Sequence, residues 1–208
     1  MVKLLCMSDT HFDEDAVQKD TCDIFVHAGD FLGNGTLVEF LSFVNEIRDK
    51  IKYKYAILCP GNHDWICERD VSLCRGILNK NEFLLIDDAI NLFNLKMYSC
   101  SYTPIFYDWA FMKKESELKE IFKRIPDDTD VLITHGPAYG ILDKNYRGNC
   151  CGSHALLERI QEVKPKLHIF GHIHQSYGKR KYRGTKYINC SLLDDNYTMT
   201  NKPVIVEV

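Results

Sequence analysis

Histidine, aspartate and asparagine residues follow short apolar runs at five places in this sequence of 208 residues. Imidazole, carboxylate and amide oxygen together are a ligand set that suits Mn, Fe, Zn or Co rather than Ca. Side chains just past the carboxyl ends of strands line one crevice in an open α/β sheet, so the five places should converge on one metal site. They are Asp9-Thr10-His11, Gly29-Asp30, Gly61-Asn62-His63-Asp64, Thr134-His135 and Gly171-His172-Ile173-His174.

The number of candidate ligands predicts two ions, because the set is larger than one ion requires. A carboxylate shared by two ions about 3.5–4 Å apart would clamp the attacking and leaving oxygens of an in-line displacement. Asp9 and His11 are two residues apart, as are His172 and His174, so each pair faces one way in an extended chain. Taken singly, each segment has a simpler explanation, such as a turn, a structural histidine or a helix cap. The five together favour metal chemistry.

Short apolar runs alternate with helical stretches, which predicts an α/β protein. The first half implies parallel pairing. The middle and the tail are typical of antiparallel hairpins with turns at Asp87-Asp88, Asn94 and Arg183-Gly184, so we expect a mixed sheet or two stacked sheets. The predicted strands span residues 2–7, 24–28, 55–59, 83–86, 90–93, 95–101, 131–134, 167–170, 178–182, 186–189 and 204–208. The predicted helices span residues 36–50, 68–78, 113–125 and 154–163.

The composition is that of an ordinary globular protein, with 45% hydrophobic and 26% charged residues. The length predicts a single domain over residues 1–208. A net charge of -3 argues against binding of long nucleic acid, which needs a basic excess. No run is long enough for a signal peptide or a membrane span, and the nine cysteines include no Cys-x-x-Cys pair. These features predict a cytoplasmic protein with reduced thiols, although Cys150 and Cys151 could form a reactive pair.

The five segments resemble the signature blocks of calcineurin-like metallophosphoesterases, over residues 3–190. Within that superfamily the chain most resembles the metallophosphoesterase-domain (MPPED) branch, near the class III cyclic nucleotide phosphodiesterases. That finer resemblance lies in residues 29–31, 134–137, 140–143 and 165–171. The resemblance implies a four-layer sandwich in which two mixed β-sheets pack between helices.

The resemblance also implies a role for each site residue. Asp9, His11 and His174 would hold the first metal, Asn62, His135 and His172 the second, and Asp30 would bridge both. His63 would contact phosphate and protonate the leaving oxygen, with Asp64 beside it as the second catalytic residue. The predicted cofactors are two divalent ions, with Mn first and Fe, Zn or Co as alternatives.

The expected reaction is hydrolysis of a phosphodiester by a hydroxide that bridges the two metals. Related protein phosphatases have Asp-Arg-Gly in the second block, whereas this chain has Asp30-Phe31-Leu32 and so lacks that phosphate clamp. We therefore expect a small phosphoester substrate, with cyclic nucleotides as candidates. Asn62, His63 and Arg147 are the predicted substrate contacts. No oligomeric state is predicted.

Two other functions stay open. The same site could serve a phosphomonoesterase or a nuclease for short oligonucleotides. A non-enzymatic scaffold, like the retromer small subunit, is disfavoured because His63 and His172 are both present. The aromatic residues of 102–111 could stack a base or pack in the core, and the loop 139–151 could fold over the site or lie on the surface. The basic run 179–183 could meet phosphate or face solvent.

Overall fold

Two β-sheets stack face to face in this computed structural model, which describes residues 1–13 and 15–208. The strands are β1 (Lys3–Met7), β2 (Asp20–Thr21), β3 (Ile24–His27), β4 (Ile51–Lys52), β5 (Tyr55–Leu58), β6 (Glu82–Leu84), β7 (Asp87–Leu92), β8 (Leu95–Cys100), β9 (Thr103–Pro104), β10 (Met112–Lys113), β11 (Val131–Thr134), β12 (Leu167–Phe170), β13 (Gly178–Tyr182), β14 (Thr185–Asn189) and β15 (Val204–Glu207). The helices are α1 (Leu37–Lys50), α2 (Trp65–Arg69), α3 (Val71–Ile77), α4 (Glu115–Phe122) and α5 (His154–Val163).

Both large sheets are mixed. The first has the strand order β15-β1-β3-β5-β6, in which only β15 runs antiparallel to its neighbour. The second has the order β13-β14-β12-β11-β8-β7, in which the central strands are parallel and the two edge strands are antiparallel. Parallel strands in the middle of each sheet therefore point their carboxyl ends in one direction.

Alternating side chains divide the core into layers. In β1, Leu5 packs toward α1 to α3, while Leu4 packs between the sheets against residues such as Ile133 of β11. A third cluster lies between the second sheet and the pair α4 and α5, and it includes Leu132 and Leu156. The order is helix, sheet, sheet, helix, so the predicted fold class is confirmed.

Side chains at the helix ends explain where the helices begin. Thr36 and Glu39 form a capping box at α1, and Ser153 accepts the backbone N–H of Leu156 at α5. The predicted helix 68–78 is wrong in one respect, because Asp70 adopts non-helical backbone angles and separates α2 from α3. Its carboxylate accepts the N–H of Leu73 and so starts α3.

Two further predictions differ from the structure. The predicted helix 113–125 is shorter, because Met112 and Lys113 pair with β9 as β10 before α4 begins. The predicted turn at Asp87-Asp88 is wrong, since both residues lie in β7. The carboxylate of Asp87 accepts the Tyr98 hydroxyl and pairs with Arg124 at 2.7 Å, which offsets its low strand preference.

The remaining sequence-level features have simple places in the fold. The nine cysteines, all in the described part of the chain, form no disulfide, and Cys150 and Cys151 are half-buried. The basic run lies on β13 and in the turn after it, and its cationic residues Lys179, Arg180, Lys181 and Arg183 are exposed. In the part of the chain that the structure describes, no helix is both long and apolar enough to span a membrane.

Candidate metal centre

The five segments singled out in the sequence meet at the carboxyl ends of β1, β3, β5, β11 and β12. Among the described residues, ring nitrogens and carboxylate oxygens form three groups in which all the atoms lie within 4.8 Å of one another. The groups are Asp9, His11 and His174; His11, Asp30 and His63; and Asp30, His135 and His172. Strands of both sheets therefore supply one site.

Asp9 anchors the first group. One carboxylate oxygen, Oδ1, lies 3.4 Å from Nε2 of His174, and the other accepts hydrogen bonds of 2.6 Å from the hydroxyls of Ser8 and Ser191. Nε2 of His174 lies 3.3 Å from Nε2 of His11. Three nitrogen and oxygen atoms thus crowd around one small volume, which a cation would occupy favourably.

Asp30 belongs to both of the other groups. Its Oδ2 atom lies 3.3 Å from Nε2 of His135 and 3.8 Å from Nε2 of His11. The rings of His135 and His172 are 4.8 Å apart. Asn62 places its Oδ1 atom 2.9 Å from Nε2 of His135. One carboxylate therefore stands between the His11 side and the His135 side of the site.

Backbone carbonyls orient three of the histidines. Nδ1 of His135 lies 2.9 Å from the carbonyl oxygen of Ala28. Nδ1 of His174 lies 3.0 Å from the carbonyl oxygen of Asp194. Nδ1 of His63 lies 2.9 Å from the carbonyl oxygen of Gly33. A carbonyl only accepts, so each Nδ1–H donates, and Nε2 is the ring nitrogen whose lone pair could bind a metal once it has lost its proton. Such outer hydrogen bonds are characteristic of histidines that bind metals.

Carboxylates and histidines at the centre of the site shift one another's pKa. Burial opposes positive charge on His135, but the carboxylate of Asp30 raises the pKa of His135 to about 9. The hydrogen bond and charge of Asp9 likewise overcome burial and raise the pKa of His174 to about 9. Burial alone would raise the pKa of both carboxylates, yet these histidines hold the pKa of Asp9 and Asp30 well below the usual value. Both carboxylates are therefore ionised, which is the form that binds a metal.

The other two histidines among the ligand candidates are neutral. Burial lowers the pKa of His11 to about 4, against the attraction of Asp30 and Asp9. Burial, with the charge of His135, lowers the pKa of His172 to about 3. Neutral imidazole is the form that coordinates a metal.

The backbone is held in an unusual conformation at four candidate ligands. Asp9, His11, Asp30 and His172 have φ angles of 53°, 44°, 55° and 69°. The left-handed region costs about 1–2 kcal/mol for each such residue, and such strain persists where the surroundings impose it. For His172 the surroundings include Asp9, whose carboxylate accepts its backbone N–H. Strained residues cluster at functional sites, so four left-handed residues among the candidate ligands are typical of a functional site.

Glycines leave room for the close approach of the segments. A Cβ atom on Gly171 would collide with the side chains of Ser8 and Asp9, and one on Gly61 would collide with the carboxylate of Asp30. The absence of these side chains lets the loops after β12 and β5 approach the loops after β1 and β3.

His63 lies at the edge of the site. Its backbone N–H donates to Oδ1 of Asp30 at 2.8 Å, and its ring stacks on Trp109 with centroids 4.4 Å apart. The ring also meets that of His11 edge-on at 4.6 Å. Two aromatic neighbours and one carbonyl thus fix the ring while it faces the cavity that leads to the site.

Asp64 lies behind the site. Its two carboxylate oxygens accept the backbone N–H groups of Asp30, Leu32 and Gly61 at 2.7–2.9 Å. It is fully buried, and burial and the charge of Asp30 raise its pKa well above the usual value. The structure does not bring it to the cavity wall. Its contacts are those of a residue that positions the loops of Asp30 and Asn62.

A cavity of about 540 Å³ opens above the candidate ligands. Its lining includes His11, Asp30, Asn62, His172 and His174. Arg147, a predicted substrate contact, does not line it; its guanidinium lies 5.1 Å from the ring of its neighbour Tyr146, which does. Asn62 and His63, the other two predicted contacts, lie in the wall.

Sequence reasoning missed the residues that support the ligands. Ser8 and Ser191 hold Asp9, and the carbonyl of Asp194 holds His174. Tyr197 was also missed, although its ring lies 4.8 Å from that of His11. Ser8 directly precedes Asp9 and gave a local signal, whereas Ser191 and Asp194 are distant in sequence and carried none.

The donor atoms fit a centre of divalent transition metals. The set combines imidazole nitrogen, carboxylate oxygen and one amide oxygen, without thiolates, which is the combination such ions prefer over calcium. Nδ1 of His11 is buried and, within residues 1–13 and 15–208, has no hydrogen-bond partner. The assignment of individual ligands stays a prediction.

Comparison with known proteins agrees with this site. Residues 2–176 match the family of calcineurin-like phosphoesterases, and the chain belongs to that family. It is similar to the human metallophosphoesterase domain-containing protein 1, with 32% identity over 99% of this chain and 71% of that protein. A more distant relative is a 3′,5′-cyclic-nucleotide phosphodiesterase of Nostoc, 22% identical over 77% of this chain and 59% of that protein.

The fold has solved counterparts. The structure of TT1561 of Thermus thermophilus superposes with a TM-score of 0.67 at 12% identity, over 90% of this chain and 88% of that one. This superposition agrees with the predicted fold, and the match of residues 2–176 together with the 32% identity to the human protein confirms the predicted family resemblance. The chain is a metallophosphoesterase, a member of a family that hydrolyses phosphoesters with divalent metal ions.

Proposed function

We propose that this protein is a phosphodiesterase with two metal ions, Mn²⁺ in the first instance, and that its substrates are small phosphodiesters. The observation that carries the proposal is the position of Asp30. Its Oδ2 atom is within 3.8 Å of ring nitrogens on both sides of the site, which is the place of a bridging carboxylate. Asp9, His11 and His174 would hold one ion, and Asn62, His135 and His172 the other.

The metal ions and the protein side chains would contribute differently to the reaction. Two divalent ions held by these residues would supply an activated water and neutralise charge on the phosphoryl oxygens. Asp30 keeps the two ligand groups at a fixed separation, and the serines on Asp9 hold one of them in place. Aromatic and aliphatic side chains, among them Trp109 and Ile105, line the cavity above the site.

His63 is the proposed acid. Its Nδ1–H is engaged by the carbonyl of Gly33, so the second ring nitrogen, Nε2, is the atom that would give a proton to the departing ester oxygen. Stacking on Trp109 keeps the ring in that orientation. Protonation of the leaving group by a positioned side chain contributes about 10²–10⁴ in rate.

The charge of the cavity favours diesters over monoesters. Among the described residues, no lysine or arginine lines it, whereas Asp195 does. A monoester dianion needs more neutralisation than a diester monoanion, and sites that bind dianions use arginine for it. This agrees with the absence of Arg after Asp30 in the sequence. Cyclic nucleotides are the first physiological candidates, in view of the distant Nostoc relative.

The test is a comparison of two chromogenic substrates. Wild-type protein with Mn²⁺ is expected to hydrolyse bis-p-nitrophenyl phosphate faster than p-nitrophenyl phosphate, and EDTA should abolish both. Asp30→Asn should remove activity. His154→Ala, which changes an exposed histidine on α5, is the matched control and should keep it. A preference for the monoester would indicate a phosphatase, and no turnover with Mn²⁺, Fe²⁺, Zn²⁺ or Co²⁺ would favour a scaffold.

A further inference from the structure

Four aromatic side chains surround the opening of the cavity, and we call them the aromatic rim. They are Phe106, Tyr107, Tyr146 and Tyr197, with exposed fractions of 60%, 70%, 69% and 53%. Large aromatic side chains are usually buried, and a cluster of exposed ones commonly marks a binding site. The fold does not need these rings, since none belongs to the three core clusters.

The rim lies directly beside the candidate metal ligands. Phe106 packs on Tyr107 with ring centroids 4.4 Å apart, and its ring is 6.5 Å from that of His172. On another side, the ring of Tyr197 lies 4.8 Å from that of His11 and 5.9 Å from that of His174. A phosphoester on the ligands would therefore place its organic group among these rings.

The backbone of Tyr197 supports this interpretation. Its φ angle of 57° is left-handed, and its N–H donates to the carbonyl of Asp194 at 3.0 Å. The carboxylate of Asp194 accepts the N–H groups of Asn196 and Thr198, which closes the turn. An exposed tyrosine held in a strained conformation next to His11 is the pattern expected of a ligand contact.

Polar side chains lie between the rings. Asn145, Gln175 and Asp195 line the same cavity and offer amide and carboxylate groups. A planar heteroaromatic ring presents a π face to aromatic side chains and donors or acceptors at its edge. An acyl chain would leave the three polar groups without partners, and an alkyl ester would leave the rings unused.

We propose that the aromatic rim binds a nucleobase and thereby selects nucleoside phosphoesters over phosphoesters of simple sugars or alcohols. The inference rests on the proposed function, because the phosphate must lie on the metal ligands for the base to reach the rim. Phe106 and Tyr146 are specificity-determining residues in this account, and they have no part in the chemical step.

The experiment measures binding by calorimetry with full-length Mn²⁺-loaded protein. The probes are adenosine 5′-monophosphate and ribose 5-phosphate, which carry the same phosphate and differ in the base. Stacking on aromatic residues predicts that the nucleotide binds about tenfold to a hundredfold more tightly. Phe106→Ala and Tyr146→Ala should each reduce that ratio at least about threefold while leaving the affinity for ribose 5-phosphate within about twofold. Phe93→Ala, at an exposed phenylalanine outside the cavity, is the matched control and should keep the ratio.

Three results would overturn the proposal: equal affinities of the wild type for the two probes, an unchanged ratio in both rim variants, or equal losses for both probes in those variants. Binding of neither probe would also contradict it. Failure of the proposed function is a separate result. If bis-p-nitrophenyl phosphate is not hydrolysed but the ratio of the two affinities changes as expected, base binding by the aromatic rim is supported and the proposed hydrolysis is not. If the diester is hydrolysed but the base adds no affinity, the proposed hydrolysis is supported and base binding by the aromatic rim is not.

Discussion

Asp64 is next to His63 in the sequence, but its side chain lies behind the site and does not line the cavity. The resemblance to calcineurin-like metallophosphoesterases implies a catalytic role for Asp64 beside His63. In the structure its oxygens accept three backbone N–H groups behind the site. We infer that it holds the loops of Asp30 and Asn62 in register, and that the reaction depends on it through those loops.

Removal of the Asp64 carboxylate is expected to destabilise the fold. Asp64→Ala leaves three buried N–H groups without an acceptor and should lower the free energy of unfolding by about 3 kcal/mol. Asp70→Ala is the comparison, since Asp70 caps one N–H at the start of α3 and its loss should cost about 1 kcal/mol. Urea denaturation measures both. An Asp64→Ala protein of unchanged stability that has lost only turnover would support the catalytic role instead.

His63 is expected to act on the rate and not on metal binding. Replacement by alanine removes the proton donor but leaves the other ligand groups, so His63→Ala should retain metal and lose about 10²–10⁴ in kcat on substrates with poor leaving groups. The loss should be smaller for p-nitrophenyl esters, whose leaving group needs little protonation. Steady-state kinetics and metal analysis of one preparation measure both properties. Unchanged rates on an alkyl diester would contradict the role.

At the scale of elements, the loop after β14 links the metal site to the aromatic rim. The carbonyl of Asp194 accepts the Nδ1–H of His174, and the carboxylate of Asp194 closes the turn that carries Tyr197. This loop contains no helix or strand, and it reaches the metal site through the contact between His174 and Asp194. Sequence reasoning places the strands well but has no signal for such a contact.

Loosening of this loop should weaken metal binding. Asp194→Ala removes the acceptor for two backbone N–H groups, so the carbonyl on His174 loses its fixed position. The expected loss in Mn²⁺ affinity is about 10–100-fold, the usual effect of removing an outer hydrogen-bond partner. Asp194→Asn keeps an acceptor and should retain most of the affinity. Equal Mn²⁺ affinity of the wild type and Asp194→Ala in a calorimetric titration would count against this coupling.

Glu82 joins β6 to its neighbours and makes stability depend on pH. Burial would raise the pKa of Glu82, but hydrogen bonds from Arg48, the backbone N–H of Asn79 and Tyr53 lower it to about 2. Because the folded pKa lies below the unfolded value of about 4.3, the stabilisation is complete above that value and is lost as pH falls toward 2. Its size is on the order of 2 kcal/mol.

Glu82→Gln should therefore flatten the acid side of the stability profile. The variant cannot titrate at this position, so the difference in free energy of unfolding between wild type and variant should shrink between pH 5 and pH 2.5. Urea denaturation at several pH values measures it. A constant difference across that range would show that Glu82 contributes no pH-dependent stability.

At the scale of the whole molecule, much of the fold could be predicted from residues. Alternation of apolar runs and helical patterns indicated an α/β protein with a mixed sheet or two stacked sheets, and the family resemblance implied two mixed sheets between helices. The five segments singled out in the sequence meet in the structure because each follows a strand end, while the role of each residue in them stays a prediction. The break at Asp70 and the start of β7 at Asp87 were missed, because a side-chain cap and contacts with Tyr98 and Arg124 decide them.

The site itself is a property of the assembled sheets. Asp9, His11, Asp30 and Asn62 follow strands of the first sheet, and His135, His172 and His174 follow strands of the second. Each of the two proposed ligand sets draws on both sheets, so a metal pair would also hold the sheets together. The support from Ser191 and Asp194 depends on how the chain returns to the site after β14, and this is why local patterns could not reveal it.

The central claim is that two metal ions act together on a phosphodiester. Its most direct test is a titration of Mn²⁺ into concentrated metal-free protein while hydrolysis of bis-p-nitrophenyl phosphate is followed. The account predicts that turnover rises mainly with the second equivalent and levels off at two ions per chain, and that Asp30→Asn shows no such rise. Full activity at one equivalent, or no activity after metal is bound, would contradict it.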